Sequence, residues 1–297
     1  MAQKASMTKS MSQMNKGIAL MVLAVLLFTA MDAAAKHLIA TYPALLVVWA
    51  RFTGMFLFVV LILNRRLPRM ARTRFPLLHL WRSASQFGAT GLFFVSLGYI
   101  GLAEATAIVD INPVLVTLGA ALFLGEKFGL RRAAGVVAAL IGALIIIRPG
   151  SDVFSPAALL PLGAALCYSV NVLLTRFLGQ QESVWTAMFY ASAFGMLAGA
   201  VALPWVWMPI ALADLPMFVL VGLLGTAAQL CIIRAFSIAE ATVLAPFGYL
   251  GLIFSAFWGI VLFGQYPDGW TILGALVIAA AGLYVWHRET RTAKAAK

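Results

Sequence analysis

Polar and apolar positions along the chain do not alternate. They separate into ten nearly continuous apolar runs, at about 17–38, 43–63, 77–99, 103–124, 130–147, 156–176, 184–203, 216–236, 240–263 and 268–287. Each run is close to the length of about 20 residues that carries a helix across a bilayer. The pattern therefore predicts an all-α polytopic membrane protein with ten transmembrane helices. A membrane β-barrel is excluded, because its strands would alternate lumen-facing polar with lipid-facing apolar residues. The turns are short, and the step from Ile100 to Leu102 makes its neighbours a tight antiparallel hairpin. Beyond an N-terminal tail, 1–16, and a C-terminal tail, 288–297, both expected to be cytoplasmic, no length is left for a soluble domain.

Composition agrees. Of 297 residues, 63% are hydrophobic and 10% charged, and the mean hydropathy is +0.98. A soluble domain carries about 25% charged residues, so a soluble enzyme, a nucleic-acid-binding domain and a disordered chain are excluded. Cys167 and Cys231 both lie in apolar runs and frame neither a disulfide scaffold nor a zinc site.

The net charge of +11 is a matter of topology rather than of an acidic partner. With the N-terminus inside, the cytoplasmic side collects Lys4, Lys9, Lys16, Arg65, Arg66, Arg69, Arg72 and Arg74. It also collects Lys127, Arg131, Arg132, Arg176, Arg234, Arg288, Arg291, Lys294 and Lys297. The outside holds only Lys36 and Arg148, while Arg51 and Arg82 fall within helices. That bias puts both termini in the cytoplasm, and the run from Arg65 to Arg74 needs no nucleic acid to explain it.

The most informative feature is an internal repeat. Ala103-Glu104-Ala105-Thr106 recurs as Ala239-Glu240-Ala241-Thr242, and Phe123-Leu124-Gly125-Glu126 lines up with Leu262-Phe263-Gly264-Gln265. Gly135 falls on Gly274, Phe28 on Tyr168 and Lys36 on Arg176, with an insertion of about three residues near Pro246 to Leu252. The first helix resembles a cleavable signal peptide, but a discarded segment would need no counterpart, so an uncleaved span is expected. The repeats run 17–150 and 151–287. Five helices each is an odd number, so the second copy runs upside down relative to the first, the architecture of carriers that expose one site to alternate sides.

The segment from Tyr99 to Gly150, with Ala103-Glu104-Ala105-Thr106, Asn112-Pro113, Leu124-Gly125-Glu126 and Arg148-Pro149-Gly150, resembles the EamA type of the drug/metabolite transporter superfamily. Ala239 to Trp286 resembles the same template, departing from it at Gln265, where glutamate is usual. The resemblance implies a central cavity lined by helices 1, 3, 4, 6, 8 and 9, with helices 3–4 and 8–9 rocking against the remainder. It also implies a bacterial inner-membrane location and export of amino acids or related metabolites, as by the aromatic amino acid exporters.

Ionisable residues at membrane depth are expensive and mark function. Asp32, Arg51 and Asp110 lie roughly 9, 12 and 10 Å below the outer ends of helices 1, 2 and 4. Arg51 is expected to form a structural ion pair with either carboxylate, and Asp32 can instead pair with Lys36 one turn on. Arg82 can snorkel to the cytoplasmic end of helix 3. Glu104 and Glu240 read as helix-start carboxylates. Arg82, Gln86 and Thr90 form a polar stripe on helix 3, as do Cys167, Asn171 and Thr175 on helix 6, with Thr226 and Gln229 on helix 8. Phe94, Tyr99, Tyr168 and Tyr249 are the aromatic candidates for a cavity wall. Asp32, Arg82, Gln86, Thr90, Phe94, Tyr99, Asp110, Tyr168, Asn171, Gln229 and Tyr249 are thus the candidate substrate-binding residues. Pro113 and Pro246 interrupt equivalent helices and are candidate hinges. Gly195, Gly199, Gly251, Ser255 and Gly259 read as packing seams.

No cofactor or metal is expected. His37, His79 and His287 lie near helix ends, and no HExxH or hydrolytic constellation is present, which argues against an intramembrane enzyme. A kinked repeat likewise disfavours a passive channel. The expected partners are a small-molecule substrate and the lipid bilayer, with the protein as a monomer. Uptake of a nucleoside-like or vitamin substrate is the alternative carrier activity.

Overall fold

The computed structural model describes residues 2–123, 130–150, 155–178, 182–239 and 241–295, and these contain helices and turns but no strand. The main helices are α1 (Ala2–Ile39), α2 (Ala44–Leu63), α3 (Pro76–Leu97), α4a (Leu102–Val109), α4b (Asn112–Phe123) and α5 (Leu130–Ile147). They continue as α6 (Leu159–Leu178), α7 (Val184–Val206), α8 (Leu215–Ile238), α9 (Leu250–Phe263) and α10 (Gly269–Ala295).

Among the described residues, eight stretches are long and apolar enough to cross a membrane: Gln13–Ile39, Ala44–Met70, Leu102–Phe123, Pro156–Thr175, Val184–Val206, Leu215–Ile238, Pro246–Phe263 and Gly269–His287. Ala133–Ile147, within α5, is a shorter apolar helix. The 22-residue α3 carries Arg82, Ser83, Ser85, Gln86 and Thr90, and is more polar than those eight.

Local chemistry sets the ends. Pro76 and Pro216 occupy the first turns of α3 and α8, where a missing N–H costs nothing. The Ser183 side chain caps α7 by accepting from the Trp185 N–H. Gly264 ends α9 in the left-handed region at φ 63°. Helix continues through both expected tails, since α1 begins at Ala2 and α10 runs to Ala295. Neither tail contains glycine or proline before the helix limit, so nothing in the backbone chemistry stops the helix at the end of its apolar run.

The helices pack in a pattern that repeats when the two halves are exchanged. α1 lies along α8 as α6 lies along α3; α2 meets α8 as α7 meets α3; and α1 meets α9 as α6 meets α4b. α2 with α7, and α5 with α10, are the pairs that map onto themselves. Small residues make the closest approaches. A methyl added at Gly222 would lie 3.1 Å from the Cα of Gly54, and one at Gly274 would lie 2.6 Å from the Gly142 carbonyl oxygen. Gly195 and Gly199 receive Phe52 and Trp49 of α2, and Ser255 accepts from Thr106 across α9 and α4a. Close approach of backbones through small residues is how helices associate without a hydrophobic driving force. Leu57, Leu61, Leu223 and Ile253 point outward and exposed, as a lipid-facing surface requires.

The loops separate between two ends of the bundle. At one end the Tyr42 hydroxyl donates to Asp214 Oδ2, the Arg148 guanidinium to Asp268, and the Leu102 N–H to Gln265 Oε1. At the other, Glu182 Oε1 accepts from the Thr73 hydroxyl and the Arg74 N–H, and the Tyr190 hydroxyl donates to the Ala71 carbonyl. His79 stacks on Tyr190 there at 4.9 Å. That second end carries Arg65, Arg66, Arg69, Arg72 and Arg74.

Candidate functional site

Two helices break inside the bundle. Helix 4 opens at Asp110 and Ile111, between α4a and α4b. Pro113 is the physical cause: it cannot donate to the carbonyl four residues earlier. The break thus precedes the Asn112-Pro113 step, and Pro113 sits in the first turn of α4b. Helix 9 is broken at the related place, with a short helix Ala241–Leu244, a 3-10 turn Ala245–Tyr249, and then α9. The turn coincides with the insertion inferred between the repeats.

Asp110 and Tyr249, one at each break, interact electrostatically, and Asp110 also acts on Tyr168 of α6. Tyr168 feels the Arg51 charge as well, and Arg51 interacts with Asp32 of α1. Five candidates from helices 1, 2, 4, 6 and 9 therefore form one chain of charged and phenolic groups. Asp110 Oδ2 and the Tyr249 hydroxyl are buried with no hydrogen-bond partner among the described residues, whereas Tyr168 is 37% exposed although it lies among other helices. An orphaned carboxylate oxygen in such surroundings is costly unless something binds it.

Arg51 departs from expectation. Among the described residues no contact ion pair joins it to either aspartate. Its Nη1 donates to Thr90 Oγ1 at 3.2 Å, and the guanidinium lies over Phe52 and Phe94, 5.7 and 5.5 Å from the ring centroids. Two aromatic faces and one hydroxyl hold the cation, and no second hydrogen bond engages it among the described residues. Nor does Lys36 pair with Asp32. Buried at the end of α1, it donates from Nζ to the carbonyls of Leu97 and Ile100 at 2.6 Å each. It caps the carboxyl end of α3, where unsatisfied carbonyls favour a cation.

A second polar group runs from Arg51 toward the basic end. Arg82 and Gln86 of α3 and Thr226 and Gln229 of α8 line a cavity of about 40 Å³ together with Arg51 and Phe52. Arg82 does not snorkel outward. It is 8% exposed and donates from Nη2 to the Ala187 carbonyl at 2.7 Å.

Three candidates lie elsewhere or do other work. Tyr99 is 71% exposed, in a groove at the far end with Glu104 and Arg148, because α3 stops before it. Phe94 is fully buried behind Arg51 and forms its bed. Asn171 ties α6 to α3 by donating to the Arg82 carbonyl at 2.9 Å. Glu126 and Glu240 lie outside the described residues, as does the side chain of Arg176. Met55 and Met188, which also line the inner cavity, were not foreseen, because an apolar residue in an apolar run gives no sign of its neighbours.

Comparison with known proteins assigns this architecture. The EamA-like transporter family model matches the chain twice, over residues 15–148 and 155–286. A riboflavin transporter of Rhizobium johnstonii is 32% identical over 91% of this chain and 91% of its own length. A pseudopaline exporter of Pseudomonas aeruginosa is 30% identical over 90% of this chain and 95% of its own. An S-adenosylmethionine uptake transporter of Rickettsia bellii is 25% identical over 74% of this chain and 75% of its own. A solved crystal structure shares the fold, with a TM-score of 0.64 and 18% identity, covering 94% of this chain and 99% of the other. Two matches to one family model, lying on the two halves read from the internal repeat, make this multi-pass membrane transporter a member of the EamA-like transporter family.

Proposed function

We propose that the protein is a ten-span alternating-access carrier of the bacterial inner membrane that exports small zwitterionic metabolites, amino acids foremost. Both termini are cytoplasmic in this reading, which rests on the arginine-rich end of the bundle. The 22 residues of α3 and the 18 of α5 complete the ten spans.

The observation that carries the substrate class is the dipolar interior: Arg51, held by Thr90, Phe52 and Phe94, and Asp110, whose Oδ2 has no hydrogen-bond partner among the described residues, both act on Tyr168, and among those residues Arg51 forms no contact pair with either aspartate. A site with an uncommitted guanidinium and an orphaned carboxylate oxygen complements a solute bearing both a carboxylate and an ammonium. Tyr168 and Tyr249 offer apolar faces to its side chain. The breaks at Asp110–Ile111 and Ala245–Tyr249 supply hinges, with Pro113 and Pro246 absorbing the change. Thr90 and Phe94 hold Arg51, and Asn171 anchors α6.

The relatives favour a second reading. One is named for a vitamin and another for uptake of a nucleoside-like solute, so uptake of such a compound is the alternative. Reconstitution into liposomes with labelled amino acids, riboflavin and S-adenosylmethionine, with and without a pH gradient, tests both. Saturable amino-acid flux supports the first reading; flux of the other two alone supports the second. The absence of any flux overturns both.

A further inference from the structure

The cavity between α2, α3, α7 and α8 has a composition that the central site does not share. Arg51 and Arg82 bring two guanidinium groups to it and Gln86 and Gln229 two amides, while no carboxylate lines it among the described residues. Arg82 is more than nine-tenths buried, and among the described residues its Nε has no hydrogen-bond partner although Nη2 is engaged with Ala187. A buried guanidinium with an unused donor favours an oxyanion, which its planar fork meets with paired hydrogen bonds. The volume of about 40 Å³ holds a few waters, room for a carboxylate head but not for an aromatic ring.

Its location gives that preference a direction. Arg82 stands about 9 Å inside the basic end of α3, and Arg51 about 10 Å from the opposite end of α2. In a hydrocarbon layer of about 30 Å their Cα atoms thus differ in depth by roughly 10 Å, while both side chains reach the one cavity. We propose that this cavity is an anion subsite on the route from the basic end, which takes the carboxylate of an entering solute at Arg82 and passes it to Arg51. The inference rests on the carrier reading above and deepens it: a carboxylate becomes a requirement for entry. Riboflavin, which has none, would be refused.

The test is direct binding to the full chain in detergent, read by tryptophan fluorescence. The probes are phenylpropionate, L-phenylalanine, L-phenylalaninamide, phenethylamine and phenyl phosphate. The two carboxylates are expected to bind saturably, with the amide and the amine weaker by about tenfold or more. Arg82→Gln should weaken carboxylate binding about tenfold, with partial recovery in Arg82→Lys. Because Arg82 also holds Ala187, Gln229→Glu serves as a second variant: it introduces a repelling charge at a side chain that makes no hydrogen bond among the described residues, and should also cost about tenfold.

Equal binding of the amide, no saturable carboxylate binding, or unchanged affinity in Gln229→Glu and in folded Arg82→Gln would each overturn the proposal. Markedly tighter binding of phenyl phosphate would replace carboxylate by phosphate and overturn it too. Carboxylate binding without flux in liposomes upholds the subsite and removes the carrier reading. Flux of amine and amide equal to that of the amino acid does the reverse.

Discussion

The Tyr42 hydroxyl donates to Asp214 Oδ2 at 2.6 Å, joining the loop after α1 to the loop before α8 across 172 residues. The Tyr42 hydroxyl oxygen also accepts from the Ala211 N–H, and the hydrogen bond to Asp214 raises the phenol above its ordinary pKa of 10.0. Tyr42→Phe and Asp214→Asn should each lower the thermal unfolding midpoint, and the double variant should lose less than the sum of the two. Additive losses would mean that the contact contributes nothing to stability.

That contact also bears on topology. It puts Asp214 at the bundle end that carries Lys36, which caps the carbonyls of Leu97 and Ile100; Ile100 lines one groove with Arg148. Cysteines introduced at Gly150 and Asp214 should therefore react with an impermeant thiol reagent from the same side of the membrane. Labelling from opposite sides would contradict the packing of the two halves.

Asp268 lies outside the spans. Partial burial pushes its carboxyl up, but hydrogen bonds from Thr271 and Arg148 outweigh this and leave it below the ordinary value of 3.8. A depressed carboxylate stabilises the fold above its unfolded value, and that stability is lost as the pH falls through the lower folded value. Acid unfolding of the wild type below about pH 4 should thus include a contribution that Asp268→Asn abolishes. Identical acid profiles for the two proteins would dismiss the Arg148–Asp268 contact as a pH-dependent clamp.

Gly222 faces Gly54 so closely that an added side chain meets backbone. Gly222→Val should cost about 1–3 kcal/mol through overpacking, whereas a valine at Gly269, which has open space around it, should be far milder. Comparable unfolding midpoints for the two variants would contradict the seam between α2 and α8.

In liposomes, Asp110→Asn should lower flux by about tenfold or more, since it replaces the buried, partnerless carboxyl oxygen by an amide. Glu126→Gln should do less. Equal wild-type rates for both variants would remove Asp110 from the transport cycle.

The sequence alone determined the helices, their approximate limits, the twofold repetition and the rare charges within the spans. Those are local or self-referential properties: a run of about 20 apolar residues is stable in lipid wherever its neighbours lie, and a repeat is visible by comparison of the chain with itself. It also pointed to the interruptions at Pro113 and Pro246, because a missing N–H acts on its own helix. What the tertiary structure decided was which faces meet. In a soluble protein the inward face is apolar and the outward one polar, so periodicity reveals both. Here lipid and core are equally apolar, and the helices give almost no sign of which side turns inward. Hence the sequence marks Arg51 as an ion-pair partner, whereas packing sets it on Thr90 and two phenylalanine rings, and it marks Tyr99 as a cavity residue, whereas α3 ends before it and leaves it exposed. Lys36 found backbone carbonyls more than 60 residues away, since packing brings the end of α3 closer to its Nζ than any carboxylate on its own helix.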